Sequence, residues 1–243
     1  MLPAATEAAW AALRPRAELG GFVLVGGTAL SLLIGHRQSE DLDLAWPDLR
    51  LPVRRITLAM SEVERAGLPC ERHDDPAAVA EFLDTGLELH DYQQDYLVGG
   101  AKVSFFAVDA VLQRVLSPER ESAPRVASLK EIFASKCLVT AQRSRLRDWF
   151  DLYVLLREHG FSLRDYVAVF EAAGEPRGWE AGLARLCSGH PDRADEGFKA
   201  LVEDAPGVDE LRGFFVARRN ELEVALAAER LGSTSRGSSS PPD

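Results

Sequence analysis

Gly26, Gly27 and Thr28 end an apolar run, and beyond the thirteen residues that follow the second glycine come two aspartates, Asp41 and Asp43, with one leucine between them. Glycines at such a turn let backbone amides approach phosphate oxygens. Carboxylates are hard oxygen donors suited to Mg2+, which bridges protein to nucleotide phosphates. These residue types at this spacing point to phosphate and divalent-metal chemistry. In a two-metal site, one ion activates the attacking oxygen and the other stabilises the leaving one.

Three other readings compete for the same residues. Gly21-x4-Gly26-Gly27-Thr28 has the outline of a P-loop, G-x-x-x-x-G-K-[ST], but Gly27 stands where the lysine belongs and FVLV is strand-like where the loop should be. A dinucleotide site needs G-x-G-x-x-G and an acid about 20 residues on, which this glycine spacing does not provide. A glycine turn and two exposed aspartates also occur on surfaces without any function.

The elements that must position these groups follow from hydrophobic patterning. Phe22–Val25 reads as a buried strand, Gly26-Gly27-Thr28 as the turn, and Ala29–Ile34 as a short buried helix ending at Gly35. His36–Glu40 is a polar loop. Alternation over Asp41–Trp46 predicts a strand with both aspartates on one face and Leu42 and Leu44 on the other. Around this lie an opening helix over Ala4–Leu13, an amphipathic helix over Pro52–Ala66, a strand over Leu68–His73 and a helix over Pro76–Leu83. A hairpin joins Gln93–Val98 to Ala101–Val108 through Gly99-Gly100.

Beyond Asp109 no further strand-like alternation occurs. Helical periodicity covers Ser128–Thr140, Leu146–Glu158, Leu163–Ala173, Trp179–Leu186 and Val208–Leu231. The fold class is therefore α+β: a mixed α/β sheet domain over residues 1–116, then a helical bundle over 117–231. Ser117–Ser128, with two prolines, reads as a linker, and 232–243 as a disordered tail.

The 243 residues carry a net charge of −10, which excludes a surface that coats nucleic acid generally. Three distant cysteines, Cys70, Cys137 and Cys187, form neither a C-x-x-C pair nor a disulfide framework, and a reducing cytoplasm is expected. The first ten residues do not look secretory, and Leu19–Gly35 is too short and too interrupted to span a membrane. His73-Asp74-Asp75 and Cys187-x2-His190 lack the second ligand pair of a structural zinc site.

The joint pattern, hydrophobic-Gly-Gly, thirteen residues, then Asp41-Leu42-Asp43-Leu44, resembles the signature of the polymerase-β-like nucleotidyltransferase superfamily. More narrowly, GGTAL followed by GHRQSEDLDL resembles the AbiEii/AbiGii toxin family. A second cluster supports this. Lys136–Arg147 holds Lys136, Arg143, Arg145 and Arg147 and no acid, and on a continuous helix Lys136, Arg143 and Arg147 would share a face. With Asp148 and Asp151 it resembles the family's C-terminal motif, a lysine, an arginine some seven residues on, and an R/K-D-x-x-D-L-Y helix. The resemblance implies a nucleotidyltransferase-like fold completed by the helical domain, with Gly26, Gly27 and Thr28 cradling phosphate and Asp41 and Asp43 holding Mg2+ (or Mn2+). It also implies Lys136 and Arg143 on the triphosphate and Asp148 orienting or deprotonating the acceptor. Arg37, within the matching stretch, either steers phosphate or makes a loop salt bridge. Arg147 and Asp151, four apart, could equally form a surface ion pair.

One position departs from the pattern. The superfamily commonly carries a third carboxylate on a later strand, where this family often shows Lys-x-Asp, and the match here is Lys102-Val103-Ser104. Asp95 or Asp109 could substitute, and alternation does not choose between them. The site then has two carboxylates, takes an acid from the helical half, or belongs to an inactive relative that binds nucleotide or a partner without turnover. The activity implied is transfer of a nucleoside monophosphate from a nucleoside triphosphate to a tRNA or protein hydroxyl. The implied role is that of a toxin paired with a cognate antitoxin, without a membrane partner.

Overall fold

The computed structural model describes residues 2–117, 119, 121–191, 202 and 205–236. In chain order the first elements are α1 (Ala4–Leu13), β1 (Val23–Val25), α2 (Gly26–Ile34), β2 (Leu42–Trp46), α3 (Val53–Arg65), β3 (Cys70–Arg72), α4 (Pro76–Asp84), β4 (Gln93–Val98) and β5 (Ala101–Ala107). They are followed by α5 (Ala110–Gln113), β6 (Arg125–Val126), α6 (Leu129–Thr140), α7 (Leu146–Glu158), α8 (Leu163–Ala172), α9 (Gly178–Ser188) and α10 (Val208–Arg236). One compact unit is built on Met1–Lys136 and another on Cys137–Glu171 with the later helices.

The first unit is organised by a six-stranded mixed sheet in the order β3-β4-β5-β2-β1-β6. β2 runs antiparallel to β1 and parallel to β5, and β4 runs antiparallel to both β3 and β5. Because partners in register share a face, the strands sort their residues by alternation. One face carries Phe22, Leu24, Leu42, Leu44, Trp46, Tyr96, Val103 and Phe105, all buried. Phe22 anchors it, 4.9 Å from Trp46 and 5.4 Å from Phe105 between ring centroids. The other face carries Asp43, Ser104 and Asp95 in one row. The β4–β5 turn is the expected two-glycine hairpin, with φ of 57° at Gly99 and 86° at Gly100, a conformation suited to glycine.

Two local expectations change. α2 begins at Gly26, so the two glycines are its first turn and do not form a separate connection. Nor is α2 buried all round, since Leu32 and Leu33 are exposed. The stretch 117–128, which composition marks as a linker free of strands, contains β6, paired parallel to β1. Two residues are too few for alternation to reveal a strand; the pairing with β1 defines it.

In the second unit α7 is buried along most of its length, from Asp148 to Leu155. α8 contributes Tyr166 and Phe170, and α10 contributes Leu211, Phe215 and Leu222. Tyr166 shares a 2.6 Å hydrogen bond with Thr140. Gly182 of α9 leaves the space they occupy, because a Cβ there would lie 2.8 Å from Thr140 Oγ1 and collide with the Tyr166 hydroxyl. α10 continues through Arg236, into the stretch expected to be a disordered tail, and residues 237–243 of that tail lie outside the described residues.

Candidate active site around the Asp41–Asp43 pair

β2 sets the carboxylates. Leu42 and Leu44 are fully buried in the core, which turns Asp43 to the opposite face; Asp41 immediately precedes the strand, and both aspartates are partly exposed. β1 then delivers the start of α2 beside them, with Val25 directly across from Asp43. Gly26 has a φ of 74°, and a Cβ there would lie 2.7 Å from Asp43 Oδ2. At Gly27 a Cβ would collide with Arg37 Nη2 and lie 2.9 Å from Ser39 Oγ. The room left by the two glycines is therefore occupied from within the protein, by a carboxylate and a guanidinium. The first N–H groups of a helix have no partner within it and carry its positive end.

The loop between α2 and β2 is held carbonyl by carbonyl. Thr28 Oγ1 donates to the Asp41 carbonyl and lies 2.9 Å from Ser39 Oγ, Ser31 Oγ donates to the Arg37 carbonyl at 2.5 Å, and Thr6 Oγ1 donates to the Glu40 carbonyl at 2.7 Å. The Thr28 side chain is fully buried and its hydroxyl is used inside the protein, where it positions the start of the Asp41 strand. Arg37 is buried as well, and its Nη1 donates to the Gln38 carbonyl at 2.9 Å. Ser31, Ser39 and Thr6 were not singled out from sequence, because single hydroxyls carry no pattern that names a distant partner.

The register also identifies what stands beside Asp43. Ser104 is its partner across the parallel β2–β5 ladder, and Asp95 is the partner of Ser104 on the next strand. Asp95 is turned to other work: Gln93 Nε2 approaches its oxygens at 3.2 and 3.3 Å, and Lys102 Nζ lies 3.5 Å away. Asp109 caps α5 by accepting from the amides of Val111 and Leu112. Among the described residues, no group of three or more His, Cys, Asp or Glu side chains is arranged to hold a metal ion. The two-aspartate set fits a hard cation of the Mg2+ type, which commonly takes one or two carboxylates and fills its remaining positions with water and substrate phosphates.

Lys136 is buried on α6 in the first unit, while Arg143 and Asp148 belong to the second. The two helices expected over Ser128–Thr140 and Leu146–Glu158 are both present, so the shared face that a continuous helix would give Lys136, Arg143 and Arg147 does not form. α6 ends at Thr140 and α7 begins at Leu146, leaving Arg143 in the connection, where Arg185 donates to the Ala141 carbonyl at 2.7 Å. Arg143 Nε instead reaches Asp148 Oδ2 at 2.9 Å, and the Asp148 side chain is only 3% exposed. Asp151 is fully buried, which excludes the surface ion pair considered for it.

A profile of the family described as "Nucleotidyl transferase AbiEii toxin, Type IV TA system" matches residues 9–221. The chain belongs to the AbiEii family. The AbiEii chain is also 28% identical over 145 residues to the uncharacterized protein aq_aa25 of Aquifex aeolicus (strain VF5), covering 59% of this chain and 62% of that relative's length. Among solved structures, JHP933 from Helicobacter pylori is similar over 94% of this chain and 96% of its own, at 19% identity and a TM-score of 0.48. The Megavirus polyadenylate synthase is similar over 64% of this chain and 31% of its own, at 12% identity and a TM-score of 0.41. No helix of the AbiEii chain, among the described residues, is long and apolar enough to cross a membrane.

A further group secures the sheet edge next to the site. Glu131 on α6 accepts from both terminal nitrogens of Arg125, at 2.6 and 2.9 Å, and from the Ser117 and Ser128 amides, each at 2.7 Å. Burial alone would raise its carboxyl, but the Arg125 fork and the hydrogen bonds from Ser117 and Ser128 outweigh it and bring the pKa down to about 2. Sequence periodicity does not single out Glu131, but a local signal for it exists. Ser128-x-x-Glu131 is a capping box, in which the serine hydroxyl and the glutamate carboxylate satisfy each other's backbone amides.

Proposed function

We propose that this AbiEii chain is a Mg2+- or Mn2+-dependent nucleotidyltransferase that moves a nucleoside monophosphate from a nucleoside triphosphate to a hydroxyl of tRNA or of a protein. The observation that carries the reading is Asp43 set against Gly26, at the amino end of α2, with Arg37 against Gly27. Carboxylates for a cation and positive groups for a phosphate chain stand side by side, as transfer from a nucleoside triphosphate requires.

Asp41 and Asp43 would hold the cation, which when bound supplies charge neutralisation at the phosphates. The first amides of α2 would donate to phosphate oxygens, with Arg37 adding a fixed positive charge beside them. Following the family motif, Lys136 and Arg143 contact the triphosphate. Asp148, held in one orientation by Arg143, orients the acceptor hydroxyl or takes its proton. The hydroxyl oxygen bonds to the α-phosphorus, the bond to the β-phosphate breaks, and pyrophosphate leaves. Family membership supports a toxin role with a separately encoded antitoxin, in the cytoplasm.

Incubation with each labelled nucleoside triphosphate, Mg2+ and total tRNA or cell lysate tests the reading. Label transfer that is lost in Asp43→Ala is the expected result, and no transfer under any condition overturns it. Ser104 beside Asp43 motivates a second reading, a module that binds nucleotide or a partner without turnover. Calorimetry separates the two: triphosphate binding without Mg2+-dependent turnover favours the module.

A further inference from the structure

We infer that Ser104 makes cation binding at the Asp41–Asp43 pair conditional on the nucleotide, so that the divalent ion enters as its triphosphate complex and is not retained by the nucleotide-free protein. The inference rests on the nucleotidyltransferase reading above and adds an order of assembly to it. Ser104 and Asp43 are direct partners in register, on the face opposite the core and one strand spacing apart. A carboxylate at position 104 would stand beside Asp43 as a third anionic ligand. A neutral hydroxyl brings no charge to offset the ion, and Mg2+ gives up its water reluctantly.

Neither acid nearest in sequence makes good the loss. Asp95 lies two strands from Asp43, roughly 10 Å at ordinary strand spacing, and its carboxylate faces Lys102 and Gln93. Asp109 is engaged as the cap of α5. The positive side of the balance is close by: the Arg37 guanidinium packs against Gly27, next to the residue that Asp43 covers. Two carboxylates with a guanidinium beside them present little net negative charge to a free cation. A triphosphate supplies the missing anionic oxygens and is itself drawn by Arg37 and the start of α2. Cation and nucleotide therefore each improve the site for the other, and by linkage the coupling is equal in both directions.

The test uses the full chain and Mn2+ as the probe, followed by calorimetry and by the paramagnetic resonance of the free ion. Without nucleotide, wild type is expected to bind Mn2+ weakly, and a saturating non-hydrolysable nucleoside triphosphate analogue is expected to tighten it at least about tenfold, or ~1.4 kcal/mol. Ser104→Asp is expected to bind Mn2+ without nucleotide at least about tenfold tighter than wild type, and to gain thermal stability from Mn2+ alone. Ser104→Asn, similar in shape but neutral, is expected to behave as wild type. Equal Mn2+ affinity of wild type with and without the analogue overturns the inference, as does a folded Ser104→Asp that binds no tighter than Ser104→Asn. Should Ser104→Asp fail to fold, Ser104→Glu is measured against Ser104→Asn in its place, with the same expected and overturning results. Tight nucleotide-free Mn2+ binding in a wild type that still transfers nucleotide removes only this inference. Absence of both Mn2+ and nucleotide binding in every variant removes the nucleotidyltransferase reading with it.

Discussion

The Asp43 carboxylate covers Gly26 so closely that a methyl group on that Cα would lie 2.7 Å from Oδ2. Gly26 also has a φ of 74°, a left-handed conformation that costs other residues roughly 1–2 kcal/mol. Gly26→Ala should therefore lose stability through both backbone and overlap, and should lose nucleotide transfer because Asp43 is displaced. In an Asp43→Ala background only the backbone part remains. Denaturant unfolding of the four proteins should give a coupling of at least about 0.5 kcal/mol between the two sites. Additive costs would show that Asp43 moves aside without consequence.

Thr28 is buried and its hydroxyl ties α2 to the Asp41 carbonyl and to Ser39. Thr28→Val keeps the shape and removes the donor, leaving buried acceptors unsatisfied. A loss of about 1–3 kcal/mol in urea unfolding is expected, together with reduced transfer as the Asp41 strand loosens. Thr28→Ser, which keeps the hydroxyl, should recover most of both. A Thr28→Val protein with full stability but impaired nucleotide binding would instead favour direct ligand contact.

Glu131 links acid stability to the edge of the sheet. Its carboxyl is depressed from 4.5 to about 2, so its contribution is fully present above the unfolded value and is lost as pH falls through about 2. At neutral pH that contribution is up to about 3 kcal/mol. Glu131→Gln should be less stable than wild type at pH 7, and the difference should shrink steadily between pH 5 and pH 2. Urea midpoints measured across that range check it, and a pH-independent difference would assign the effect to packing.

Much of the fold was legible because it is written locally. Helix-forming composition placed α1, and the 3.6-residue and two-residue periodicities placed α3, α7, α8 and the β4–β5 hairpin, close to their observed bounds. Alternation about Leu42 and Leu44 turned Asp43 away from the core, since that face follows from strand geometry once the leucines are buried. The glycine pair was recognised as a place where something approaches the backbone closely.

What approaches it was not legible, and only the tertiary structure decided it. Asp43 fills the space at Gly26 and Arg37 that at Gly27, because β2 and the α2–β2 loop fold back over the start of the helix. The gap between the helices ending at Thr140 and beginning at Leu146 was legible, but not that Arg143 in it pairs with Asp148 or that Arg185, over forty residues away in sequence, holds the Ala141 carbonyl. Asp95 and Asp109 were equivalent on paper, and register with Ser104 separated them. The physical reason is the same in each case. A periodicity records which side of an element is buried, whereas the partner of a charge or a hydroxyl is set by chain segments brought together from elsewhere. The sequence by itself carried the family resemblance and most of the strand and helix elements, and it singled out the two aspartates. The tertiary structure determined that Thr28 and the two glycines accommodate the protein's own groups, and that a serine stands next to Asp43.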